Sequence, residues 1–177
     1  MAKSLDLAKT YRGVQEVTGP NEGPIIKTIR EALLYPGAPP CSWCALFVAW
    51  VLIRTYCPLP GPVGPAHKIW LRNALGFDGS FLVESTRSWR ANMTWLGWLT
   101  TTPGPGDLVI FLNHDGEAHH IGFVTDFDGT VGEPFFRDIA GNTNEDPHSV
   151  DGNGVFEHVQ AVGPHVEFYA LPEAFRA

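Results

Sequence analysis

Residues 42–56 read SWCALFVAWVLIRTY, an almost unbroken apolar run. It is too long for an ordinary strand and is built largely of good helix formers, so it predicts a buried helix. Pro36, Gly37, Pro39 and Pro40 form a stiff loop before it, and Ser42 is a candidate N-cap. That places Cys44 in the first helical turn, where exposed N–H groups and the positive end of the helix dipole favour a thiolate. The same N–H groups suit a developing oxyanion. A lone cysteine on an apolar helix is otherwise an ordinary core residue, so its chemistry depends on what the rest of the chain brings to it.

Upstream of this helix, residues 4–17 predict a first helix with Ser4 as cap and Leu7, Tyr11 and Val14 on one stripe. Gly19, Pro20 and Asn21 interrupt it. Pro24 suits the first position of a second helix whose apolar face is Ile25, Ile26, Ile29 and Leu33. Residues 66–98 are partly helical in pattern. From Asp107 the period changes. DLVIFL (107–112), HHIGFVTDF (119–127), EPFFRDIA (133–140), GVFEHV (154–159) and HVEFYAL (165–171) read as strands separated by turn signals. Helices first and strands afterwards predict an α+β fold in one domain spanning residues 1–177, with an antiparallel sheet covering the central helix.

A thiol nucleophile needs a base within hydrogen-bond reach. On the strand that begins HHIGFV, His120, Gly122 and Val124 share one face, and His119, Ile121 and Phe123 the other. Gly122 carries no side chain, so the helix is expected to approach the face bearing His120, which selects His120 over His119. In the next strand Asp138, Ala140 and Asn142 alternate onto one face. Either Asn142 or Asp138 could accept a hydrogen bond from the far nitrogen of His120. Asp107, in PGDLVIF, reads as a turn-fixing residue. Trp70, Trp89, Trp95 and Trp98 suit core packing better than a substrate groove.

Taken together, the motifs resemble the cysteine- and histidine-dependent amidohydrolase/peptidase (CHAP) family of the NlpC-type, papain-like group. GVQEVTGPNEGP (13–24), SWCALFVAW (42–50), PGDLVIF (105–111) with HIGFV (120–124), and GNTN (141–144) occur in the order of that family's motifs. The resemblance implies a papain-like fold with N-terminal helices packed on a C-terminal antiparallel sheet. It also implies Cys44 as nucleophile, His120 as base and Asn142 as third member, cleaving peptidoglycan amide bonds through a thioester. Many members carry an acidic residue two places before that asparagine, and this chain has Ala140 there. No cofactor or metal is expected.

The net charge of −7 and pI near 5.4 argue against non-specific nucleic-acid binding. No apolar stretch reaches the roughly 18 residues of a membrane span. The opening residues MAKSLDLAKT lack the apolar core of a secretory signal, so synthesis in the cytoplasm and delivery to the wall by a phage or a secretion system are expected. The expected partners are peptidoglycan or muropeptide substrates and a delivery system or immunity protein, and a monomer is anticipated. Two other readings compete. Cys41 and Cys44 form a C-x-x-C, which at a helix start suits a thiol–disulfide redox protein, but no strand feeds the motif as a βαβ unit requires. The other is a catalytically silent wall-binding module, against which the intact Cys44 and His120 speak.

Overall fold

A computed structural model describes residues 3–17, 19–143 and 152–176. Among the described residues five α-helices precede a six-stranded sheet: α1 (Lys3–Thr10), α2 (Pro24–Leu33), α3 (Cys44–Tyr56), α4 (Pro65–Leu75), α5 (Thr86–Trp95), then β1 (Leu99–Thr100), β2 (Leu108–Leu112), β3 (Ala118–Asp128), β4 (Phe135–Thr143), β5 (Gly154–Ala161) and β6 (Val166–Tyr169). The sheet order is β1-β6-β2-β3-β4-β5, with every neighbouring pair antiparallel. This is the expected α+β, papain-like arrangement.

The central helix is α3, and nine of its residues are buried, from Cys44 to Ile53. They share one apolar core with Leu5 of α1, Ile26 and Ile29 of α2, Leu71 of α4, Trp89 of α5, and Leu108, Ile110, Ile121, Phe123 and Ile139 of the sheet. A second, smaller cluster, Val109, Val124, Phe136 and Phe168, covers the opposite face of the sheet. The alternation of β3 therefore turns Ile121 and Phe123 toward α3, and Gly122 and Val124 away from it. This corrects the expectation that the helix packs on the face bearing His120.

The close approach of helix and sheet is made at a different glycine. A Cβ on Gly141 would lie 2.5 Å from Trp43 Cζ3 and 2.8 Å from Phe47 Cβ, contacts no side chain can survive. Gly141 is thus the residue that lets α3 settle on β4.

Helix α1 is shorter than its apolar stripe suggests. It stops at Thr10, and Gly13, at φ 83°, turns the chain so that it runs along β5. The Gly13 N–H donates to the Val155 carbonyl, and Gln15 bridges Gly154. Backbone pairing with the sheet outweighs the remaining helical pattern. Ser4 lies inside the helix, buried, and does not cap it. In α2 Pro24 takes the first turn as expected, while Ile25 is exposed rather than core.

Two polar anchors tie the loops down. Arg30 is buried and donates from Nε to the Ala38 carbonyl, from NH1 to the Asn21 carbonyl, and from NH2 to Glu22. It clamps the turn at Asn21 to the loop that leads to Cys41. Asp107 accepts from the Gly104 N–H through Oδ2 and from the Leu171 N–H through Oδ1, joining the start of β2 to the C-terminal segment. Its structural role is the one its sequence context indicates. Of the four tryptophans read as core, Trp89 is fully buried, Trp70 and Trp98 are partly buried, and Trp95 is 76% exposed.

Candidate active site

Cys44 is the first residue of α3, one position nearer the end than Ser42 capping would give. Trp43 holds the N-cap position and provides no side-chain cap. The Cys44 N–H therefore lacks an intrahelical acceptor and faces the site with the positive end of the helix. Trp43 is fully buried against Gly141, and its Nε1 donates to Glu16 at 3.1 Å. The N-terminal motif residue Glu16 thereby fixes the residue next to Cys44.

The thiol of Cys44 sits among three hydrogen-bonding groups. His120 acts on it by charge and as a hydrogen-bonding neighbour, Thr86 Oγ1 lies 3.5 Å from Sγ, and Ser42 Oγ lies 3.8 Å away. Burial alone would raise the thiol pKa. The charge and hydrogen bond of His120, helped by the two hydroxyls, outweigh burial and bring it down to about 7. Burial likewise works against a protonated His120, and the Cys44 thiolate and the Asp138 carboxylate outweigh it, so the imidazole pKa rises above its ordinary value. Each charge favours the other, and the pair is biased toward thiolate and imidazolium.

His120 reaches this position through a bulge. Phe111 pairs with His120, but Leu112 pairs with Ala118, leaving His119 as the extra residue. His119 is exposed, and burial of part of its ring together with the nearby His120 charge lowers its pKa. His120, and not His119, is the histidine that acts on Cys44. The helix does not approach Gly122 as its missing side chain suggests, because the space beside that residue is filled from β4. A Cβ on Gly122 would meet Ala140 Cβ and the Ile139 carbonyl oxygen at 3.0 Å and Asp138 Oδ2 at 3.3 Å.

Asp138 is 1% exposed and faces the same side of the sheet as His120. Its carboxylate feels the charges of His120 and His158 and accepts a hydrogen bond from Gln160 Nε2 at 3.3 Å. Burial is the strongest influence and raises its pKa to about 6 despite these partners. Register accounts for the grouping: Asp138 pairs with His158, and Gln160 pairs with Phe136, all on adjacent strands.

Asn142 lies on the nucleophile side. It occupies a second bulge, between Gly141 and Thr143, at φ 58° in the left-handed region that asparagine tolerates. Its Nδ2 donates to Ser42 Oγ at 3.0 Å. Asn144, the last residue of the GNTN motif, lies outside the described residues. Sequence reasoning missed Thr86 altogether. Its helix α5 is capped by Ser85, which accepts from the Ser88 N–H, but nothing local ties that helix start to Cys44. Ser42 was read as a cap, and its actual partners come from β4 and the thiol.

Cys41, Cys44 and Cys57 are all free. Burial raises the Cys41 thiol pKa, so it is the weaker nucleophile of the C-x-x-C. Among the described residues no cluster of three or more His, Cys, Asp or Glu side chains could hold a metal, and no helix is long and apolar enough to cross a membrane.

Searches of curated proteins and of solved structures return no match. A comparison with protein families matches the CHAP domain over residues 35–132, more than half of the chain. The matched stretch includes Cys44, Thr86 and His120 and ends before β4, so Asp138 and Asn142 fall outside it. Peptidoglycan hydrolysis of the amidase or peptidase type is the activity that a CHAP domain implies in general, and this chain belongs to the CHAP domain family.

Proposed function

We propose that the protein is a cysteine-dependent peptidoglycan hydrolase that cleaves a wall amide bond through a thioester acyl-enzyme, with Cys44 as nucleophile and His120 as base and acid. The observation that carries this reading is a thiol at a helix start, flanked by the Thr86 and Ser42 hydroxyls, on which His120 acts to bring its pKa down to about 7. The Cys44 thiolate attacks the amide carbonyl carbon, forming the C–S bond. The oxyanion meets the free N–H of the helix start. The imidazolium of His120 gives its proton to the departing nitrogen as the C–N bond breaks. His120 then takes a proton from water, whose oxygen attacks the thioester, releasing the acid and the thiol.

Asp138 supports the imidazolium as a positioning residue in this reading, and its charge on His120 is the supporting observation. Asn142 acts through Ser42, orienting that hydroxyl beside the sulfur. The bond cleaved lies either between sugar and peptide or within the peptide.

The test is digestion of purified peptidoglycan, followed by mass analysis of the fragments, with wild type, Cys44→Ala and His120→Ala. Wild type should release fragments carrying one new carboxyl and one new amine end. Both variants should lose activity by several orders of magnitude while keeping their circular dichroism. Wild-type rates in folded Cys44→Ala would overturn the proposal.

A further inference from the structure

A cavity of about 490 Å³ is lined in part by Cys41 and Glu84, and the thiol of Cys41 lies within electrostatic reach of both Glu84 and Cys44. Two of its lining residues stand a few positions along the chain from the groups at the sulfur. Cys41 lies three residues before Cys44, and Glu84 lies two residues before Thr86, whose hydroxyl is 3.5 Å from Cys44 Sγ. The cavity is therefore continuous in chain with the nucleophile on two separate segments.

The chemistry of its lining is specific. Tyr35, Ile69 and Leu82 stand 58%, 53% and 54% exposed, three of the more exposed large apolar side chains among the described residues, and all three line this one cavity. Lys68 and Arg72 line it as well, one turn apart on α4. Neither is ion-paired among the described residues, and Arg72 donates only to the neighbouring Asn73 Oδ1, at 3.3 and 3.1 Å. The charge of Arg72 also reaches the exposed Asp78. Glu84 is the single acidic lining residue, so cations outnumber it two to one in a chain of net charge −7. Exposed apolar groups at a concave site mark a ligand surface, and two unneutralised cations beside them select an anionic one.

We propose that this cavity is the subsite for the peptide part of the substrate, and that it takes a segment combining aliphatic side chains with a free carboxylate, held by Lys68 and Arg72. The proposal rests on the peptidoglycan reading and deepens it. Arg72 can grip a carboxylate with two parallel N–H donors, while Lys68 supplies a point charge. Ile69, Leu82 and Tyr35 cover the aliphatic part. The subsite thereby discriminates between wall peptides with free carboxylates and those in which the carboxylates are amidated.

Cys44→Ala protein separates binding from turnover. Its affinity for a soluble stem tetrapeptide with free carboxylates should be measured by calorimetry beside the same peptide fully amidated. The amidated peptide should bind about tenfold or more weakly, as loss of a charge-assisted contact predicts. Lys68→Gln with Arg72→Gln in the same background should weaken the free peptide by a similar factor and leave the amidated one unchanged. In otherwise wild-type enzyme that double variant should raise KM with kcat preserved. Equal affinity for the two peptides, no measurable binding of either, or an unchanged KM in the double variant would each overturn the subsite. If wild type digests no peptidoglycan at all, the functional reading itself falls, whatever the cavity binds.

Discussion

A side chain on Gly122 and the carboxylate of Asp138 would compete for the same space, since a Cβ there would lie 3.3 Å from Asp138 Oδ2 and 3.0 Å from its two other neighbours. The glycine two residues after His120 leaves room for a buried carboxylate that acts on that histidine. Gly122→Ala should therefore push Asp138 aside. The expected result is a stability loss of about 1–3 kcal/mol from overpacking, with a larger proportional loss of kcat. Thermal melts and wall-digestion rates on the same preparation check both, and a variant with full activity would show that the carboxylate has no positioning role.

Replacing the carboxylate itself separates function from stability. The folded pKa of Asp138 is raised to about 6 from 3.8, so the folded state binds the proton more tightly than the unfolded state. Folding stability then falls as pH rises from about 4 to about 6, and the ionised group opposes folding above that window. Asp138→Asn should keep or raise the melting temperature at pH 7 and flatten its dependence between pH 4 and 6. Its activity should still fall more than tenfold. A drop in melting temperature at pH 7 as large as that of a core deletion would contradict this assignment.

The same variant should alter the pH profile of kcat/KM. In wild type the acid limb should follow Cys44, whose thiol pKa is brought down to about 7, and the alkaline limb His120, whose pKa is raised. Without the Asp138 charge the imidazolium is less favoured, so the His120 pKa falls. A weaker imidazolium in turn supports the thiolate less, so the Cys44 pKa rises. The bell should narrow from both sides. An unshifted profile in Asp138→Asn would remove the electrostatic link between β4 and the histidine.

Gly141 is the point where α3 and β4 touch, with Trp43 Cζ3 and Phe47 Cβ both inside 3 Å of any added Cβ. Gly141→Ala must separate helix from strand and so displace the residues on either side, Cys44 and Asn142. We expect destabilisation of about 3 kcal/mol or more, at the upper end of overpacking costs, read as a lowered denaturation midpoint. Gly154→Ala, away from the helix start but 2.5 Å from the Val14 carbonyl, is the comparison that should destabilise without a disproportionate loss of activity.

Arg30→Met tests the clamp behind the Cys41 loop. The change leaves the Ala38 and Asn21 carbonyls without their guanidinium donors. A loss of about 2–4 kcal/mol is expected. Limited proteolysis should report earlier cleavage between residues 35 and 43. Unchanged cleavage there would show that the loop holds its shape without the clamp.

Much of this architecture was legible locally. The apolar run after the proline-rich loop marked α3, Pro24 marked the start of α2, and period-two alternation with turn residues marked the five longer strands. Where the expectation failed, a tertiary contact overrode the local pattern. Residues 11–17 have a helical stripe, yet Gly13 and Gln15 join β5. Ser42 has the chemistry of a cap, yet its hydroxyl receives Asn142 from 100 residues away. Two-residue β1 carries too little pattern to be read at all.

The sequence by itself determined that Cys44 would stand at a helix start and His120 at the beginning of an apolar strand, because both depend on short-range patterning. It also determined the α+β class, through the change from helical to strand period near residue 107. Only the tertiary structure decided what surrounds the sulfur and the imidazole. Thr86 of α5, Ser42 of the loop before α3, and Asp138 and Asn142 of β4 reach the pair from distant parts of the chain, and two bulges, at His119 and Asn142, shift the alternation of the strands concerned. Which face a side chain takes after a bulge depends on the register of the partner strand, and no stretch of local sequence encodes that register.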